Sequence, residues 1–390
     1  MILRAWLPAA LLLAAACAWA SWPAAVRDLP APAEQGTGKG GGYSPGCSAA
    51  GCHGDDPGPK AWRSSATVWR DDPHARVEET LAGERSLAIN ERLRITARTD
   101  ARCLACHVPA AGSSGCASCH GKADGWLAEH PSFRRDGVGR PVYEKRGMAW
   151  LKGTADRAAA CMGCHVGEKG REVDHELIAA GHPRLDFEYA SYVRALPRHW
   201  EEEDEQETAW LEGQEAGLAA SLRLLEHRTT KADWPEFAEL NCFDCHHDLG
   251  AGTRPPPHSR QHGKAGWYRS HPLEQFREGT ADLLAELRKR VPDPVKVKAG
   301  IRDLKPRPTA PALARLKPPA RDLSWDEAAW HYHGLAALEN ARLRRGKPDE
   351  DAAKMFAGLR ETLGLEPYAT PRPRPARADL EALWKRVRGR

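Results

Sequence analysis

After its first twenty residues this chain has no apolar run of the ~20 residues that a membrane-crossing helix needs. That excludes a protein with several membrane-spanning segments. It also lacks a charge excess of one sign: 57 Lys and Arg face 53 Asp and Glu, for a formal net charge of +4. No basic stripe interleaved with aromatics is present, so nucleic-acid binding is not expected. No stretch alternates apolar and polar residues convincingly, which argues against a sandwich or barrel. No cluster of acid and base residues marks a catalytic pocket.

What the chain does have is cysteine, eleven residues in all, ten of them in one repeated arrangement. Four segments read Cys-x-x-Cys-His: Cys103/Cys106/His107, Cys116/Cys119/His120, Cys161/Cys164/His165 and Cys242/Cys245/His246. A looser fifth comes first, with four residues between Cys47 and Cys52 and then His53. Two thiols at this spacing can each form a thioether with one vinyl group of a haem, and the next histidine then lies under the iron as its proximal ligand. A zinc site would combine two cysteine pairs, or one pair with a distant histidine pair, and needs no histidine directly after each second cysteine. Structural disulfides do not need that histidine either. A redox dithiol is usually a single motif beside a βαβ pattern. The expected cofactor is therefore covalent haem c, with five copies. The first motif must bulge, which Gly46, Gly51 and Gly54 permit; its alternative is a disulfide in a glycine-rich loop.

Residues 1–20 read as an export signal, with Arg4, an apolar run over Ala5–Ala16 and a small-x-small site at Ala18-Trp-Ala20. Export fits haem attachment outside the cytoplasm, so a periplasmic, soluble protein is expected. Cys17 either belongs to the discarded signal or is a lipid-modified first residue; a membrane link follows only in the second case. Residues 21–45 are rich in Pro, Ala and Gly and read as a flexible leader.

The expected fold is mainly α: an irregular multihaem core over residues 46–250 with few or no strands, then a helical cover over residues 251–390. His74–Ile95 and Thr208–His227 carry apolar residues at helical spacing. Further helices are expected over Pro272–Arg290, Trp325–Arg345, Pro348–Leu363 and Ala376–Arg388. Pro292–Pro319 and Pro367–Pro375 read as proline-rich connectors.

Five of the seventeen histidines are proximal, and the rest supply the candidate sixth ligands. His74 lies in Asp72-Pro-His-Ala at a helix start, and His130 ends Trp126-Leu-Ala-Glu-His. His175 and His182, seven residues apart, would share one helix face roughly 10 Å apart, a spacing suited to two neighbouring haems. His199 lies in Pro197-Arg-His-Trp. His258, His262, His331 and His333 read as ordinary surface or core rings. His247 follows a proximal ligand and points elsewhere, and His227 and His271 have no supporting context.

The first motif followed by Trp69-Arg-Asp-Asp-Pro-His74-Ala, the close pair Cys103–His107 and Cys116–His120, and the stretches Ile178–Glu188 and Cys242–Leu249 resemble the cytochrome c-554 group, relatives of hydroxylamine oxidoreductase. The resemblance covers about half the chain. It implies that His74 serves the iron of His120, that His130 serves the iron of His53, and that the iron of His107 has no sixth ligand. The family type has four haems, and this chain adds a fifth and a helical C-terminus.

The expected function is electron relay between redox partner proteins, with the haems of His107 and His120 as an intimate pair. The alternative is an enzyme acting on a small nitrogen or sulfur compound at an open iron. A third reading is a haem subunit of a membrane-associated oxidoreductase.

Overall fold

The computed structural model describes residues 47–49, 52–54, 64–108, 115–133, 135–196, 199–200, 204–239, 269–289, 291–308, 315–316, 323, 325–346, 349–363 and 377–388. The export signal, Cys17, the leader and the motif Cys242/Cys245/His246 lie outside the described residues, as do His247, His258 and His262.

The described residues are mostly helical. In chain order the helices are α1 (Ser65–Asp71), a 3-10 helix (Pro73–Ala82), α2 (Glu84–Leu93), α3 (Ala101–His107), α4 (Ala117–His120), α5 (His130–Phe133), α6 (Arg140–Lys145), α7 (Thr154–His165), α8 (His175–Ala180), α9 (Tyr189–Ala195) and α10 (Gln206–Arg228). Then come α11 (Ser270–Phe276), α12 (Ala281–Leu287), α13 (Pro294–Asp303), α14 (Trp325–Arg344), α15 (Glu350–Leu363) and α16 (Arg377–Arg388). The only described sheet is two residues wide, Arg277–Glu278 (β1) paired antiparallel with Lys305–Pro306 (β2). No described helix is long and apolar enough to cross a membrane.

Helix α10 is the organising element. The Glu205 side chain accepts from the Thr208 N–H at 2.9 Å and caps its first turn. Trp210, Leu218 and Leu225 along it are buried. Gly213 lets α9 close in, since a Cβ there would meet the Tyr189 Cβ at 2.8 Å. One apolar cluster joins Ala158 and Met162 of α7 with Tyr189 of α9, and continues through Leu283, Phe356 and Leu383 of the C-terminal helices. The C-terminal helices thus share a core with the helix that carries the Cys161 motif.

Three expected elements differ. His74–Ile95 is not one helix: it breaks at Gly83, whose extended backbone (φ −73°, ψ 163°) ends the 3-10 segment and starts α2. Pro272–Arg290 divides into α11 and α12 around β1 and Gly279, which has φ 75°. The proline-rich Pro292–Pro319 contains a helix, α13, because Pro294 sits at its first turn, where no N–H is required. The Asp293 carboxylate caps it, accepting from the Val295 N–H at 2.9 Å.

Candidate haem-binding site

The cysteine motifs are built on short helical segments. Cys103 and Cys106, three apart on α3, share a face and put His107 at the helix end. Cys116 precedes α4, which ends at His120, and Cys161, Cys164 and His165 form the last turn of α7. The first motif is a turn: the Cys52 and Gly54 N–H groups both donate to the Ala49 carbonyl, at 3.0 and 3.2 Å. A Cβ at Gly54 would lie 2.0 Å from the Ser48 carbonyl oxygen, so only glycine permits this fold-back. Cys52, Cys103, Cys106, Cys116, Cys119, Cys161 and Cys164 take part in no disulfide.

Each described proximal histidine faces a second histidine. The ring centroids are 6.2 Å apart for His53 and His130, 6.5 Å for His107 and His182, 6.3 Å for His120 and His199, and 5.8 Å for His165 and His74. A metal–imidazole bond of about 2 Å, with the nitrogen about 1.1 Å from its ring centre, sets two rings on opposite sides of one iron about 6.2 Å apart. The pairs therefore fit a metal held between them. Among the described residues no three His, Cys, Asp or Glu side chains converge on a metal-sized point, so no zinc-like set forms.

The second nitrogen supports the same geometry. His107 Nδ1 lies 3.1 Å from the Val77 carbonyl oxygen and 2.9 Å from Thr80 Oγ1. His130 Nδ1 lies 2.7 Å from the Leu127 carbonyl and His182 Nδ1 2.8 Å from that of Pro183. A carbonyl only accepts, so Nδ1 carries the proton and Nε2 keeps its lone pair for a metal. His74 differs, for its Nδ1 lies 2.6 Å from Asp72 Oδ1. Asp72 also accepts from the Tyr192 hydroxyl at 2.5 Å. Burial opposes charge on both groups, yet their mutual hydrogen bond and attraction raise the His74 pKa and lower that of Asp72.

Burial, reinforced by the His199, His53 and His130 rings, pushes His120 down to about 4. Burial beside His74 does the same to His165, also to about 4. Both rings are neutral at neutral pH, the form a metal binds. Burial also raises the Cys119 thiol to about 11 and the Cys161 thiol to about 12.

These ring pairings differ from the ligand assignment that the resemblance implied. His74 faces His165 rather than His120, whose opposite ring is His199. His107, expected to stand alone, faces His182. The His130 and His53 rings lie beside one another. The motifs also approach one another: the Cys106 thiol is hydrogen-bonded to Cys164, of the fourth motif. Cys116 lies within electrostatic reach of Cys47, and Cys119 of Cys164.

His175 and His182 do not share a helix face. The helix that His175 opens ends at Ala180, because Gly181 takes a left-handed conformation (φ 118°) and the His182 N–H folds back to the Leu177 carbonyl at 2.9 Å. His175 instead packs edge-on against Phe237, with ring centroids 5.8 Å apart. Two residues absent from the candidate set support the site, Asp72 and Tyr192. Asp72 had a local signal in Asp72-Pro-His74; Tyr192 had none.

Residues 47–123 match the family described as cytochrome c554 and c-prime. No curated protein and no solved structure matches the chain.

Proposed function

We propose that this chain is an exported five-haem electron relay of the cytochrome c554 kind, a reading supported by the match of residues 47–123 to that family. The observation that carries the proposal is the set of four facing histidine pairs at iron-spanning separation. Haem bound there would supply an iron that takes up and releases one electron, and the two facing histidines would hold it.

The thiol proximities support an order along the relay that is not the order in sequence. Cys47 and Cys116 link the first and third motifs, Cys119 and Cys164 the third and fourth, and Cys106 and Cys164 the fourth and second. The relay then runs His53, His120, His165, His107. For the fifth iron, anchored by Cys242, Cys245 and His246, the remaining candidate ligand is His175. Its backbone N–H donates to Glu236 Oε1 at 2.9 Å, at the approach to Cys242. Electrons would enter and leave through redox partner proteins in the periplasm.

The alternative of an enzyme with an open iron at His107 loses its motive, because His182 faces that ring. The test is the purified, exported protein. Its intact mass should exceed the processed chain by five haems, and its ferric and ferrous forms should bind neither carbon monoxide, nitrite nor hydroxylamine. A high-spin haem that takes up one of these ligands would favour the enzyme instead.

A further inference from the structure

One ring of the four facing pairs has a buried carboxylate behind it. His107, His130 and His182 direct Nδ1 at the neutral carbonyls of Val77, Leu127 and Pro183. His74 directs Nδ1 at the carboxylate of Asp72, 2.6 Å away. The Asp72 side chain is 5% exposed, so water screens its charge poorly.

We propose that Asp72 makes the iron between His165 and His74 the lowest-potential centre of the four described sites. The inference rests on the haem reading above and concerns this chain's own residues. A carboxylate accepting Nδ1–H draws the proton toward itself and leaves more electron density on the ring. Nε2 becomes a stronger donor, which favours the ferric over the ferrous state. The buried negative charge acts in the same direction, since it stabilises the more positive iron. Reduction here adds one electron to the iron and breaks no bond.

Tyr192 works against this effect. Its hydroxyl donates to Asp72 Oδ2 at 2.5 Å and withdraws part of the carboxylate's charge. Tyr192 comes from α9 and also meets the His74 ring edge-on at 5.7 Å. The potential of this iron is therefore set by where α9 packs. In the relay order above, the site lies between the third and second motifs, so a low potential there is an internal step that electrons must cross.

The two partners should shift the potential in opposite directions. Asp72→Asn keeps an acceptor for Nδ1–H but removes the charge, and Tyr192→Phe removes the donor that tempers it. The experiment is a spectroelectrochemical titration of the exported holoprotein and both variants, with haem counted by intact mass and ligation followed by EPR. The lowest-potential component should move upward in Asp72→Asn and downward in Tyr192→Phe, with the other components fixed. The component that moves should carry the strongly anisotropic low-spin signal of near-perpendicular imidazoles, as their 87° interplanar angle requires. A full haem count with an unmoved lowest component, or a shift of the same sign in both variants, overturns the inference alone. Loss of the low-spin signal in Asp72→Asn would make Asp72 a tether rather than a tuning group, and overturns it too. A wild-type protein without haem at this motif overturns the inference together with the site reading.

Discussion

Replacing Asp204 with Asn tests how the fold holds the third and fourth motifs together. Arg157 lies on α7, the helix that ends in Cys161, Cys164 and His165. Asp204 lies just after His199 and Trp200 in the chain. The Arg157 guanidinium donates to Asp204 Oδ1, Thr154 Oγ1 donates to the same oxygen at 2.6 Å, and the Tyr189 hydroxyl donates to Oδ2 at 2.7 Å. The carboxylate is 1% exposed and Arg157 9%. Removing one partner of a buried, hydrogen-bonded ion pair costs about 3–5 kcal/mol, because the other charge stays buried and uncompensated. Arg157 retains the Leu151 and Lys152 carbonyls at 3.1 and 2.9 Å, and its guanidinium lies 4.8 Å from the Trp200 ring centre. The cost should therefore fall at the low end, about 3 kcal/mol, which for a chain of this size lowers Tm by roughly 4 °C.

Circular dichroism melts of the wild type, Asp204→Asn, Arg157→Met and the double variant measure this cost. The cycle should show a coupling of about 2 kcal/mol between the two sites. The pH dependence adds a signed check. Burial raises the Asp204 pKa, but Arg157, Thr154 and Tyr189 more than offset it, so its carboxyl titrates below its ordinary value. Its stabilisation is complete above the ordinary carboxylate range and is lost as pH falls through the folded-state value. Asp204→Asn should flatten that acid limb. A Tm change below 2 °C, or additive single variants, would refute a clamp at this position.

Other measurements bear on the haem sites and the core. His182→Ala should convert the iron of His107 to a high-spin, carbon-monoxide-binding form, and an unchanged low-spin spectrum would show that His182 is not its ligand. The ferric EPR spectrum should contain two classes of low-spin signal: a rhombic class from the rings at 16° and 32°, and a large-g class from those at 86° and 87°. Gly181→Ala should destabilise by about 1–3 kcal/mol in a denaturant titration, because φ is 118° and the new Cβ would meet Arg92 Nη1 at 3.0 Å. Trp210→Ala, at a fully buried position where α9, α10 and α14 pack, should cost about 3–5 kcal/mol by the same titration.

The cysteine motifs were legible in the chain because thioether spacing and an adjacent histidine are properties of a few consecutive residues. Cys103, Cys106 and His107 occupy one helical segment, and no distant residue is needed to recognise them. The helical character was legible for the same reason. Thr208–His227 read as a helix from its leucines, and the structure gives Gln206–Arg228. Where glycine or proline decided a boundary, local reading was less successful. Gly83 divides one expected helix, and Pro294 starts a helix inside an expected connector.

Tertiary structure alone decided which histidine faces which. A sixth ligand has no local signature, since any ring that packing carries to the far side of the iron serves equally well. His182 reaches His107 because Gly181 turns the chain out of α8. His199 reaches His120 from a segment that the Arg157–Asp204 pair holds against α7. His74 reaches His165 with Asp72 behind it, and α9 supplies Tyr192 to that carboxylate. The cysteine–histidine motifs are readable from sequence because they are local; which histidine faces which, and the charge behind each ring, depend on contacts between residues far apart in the chain.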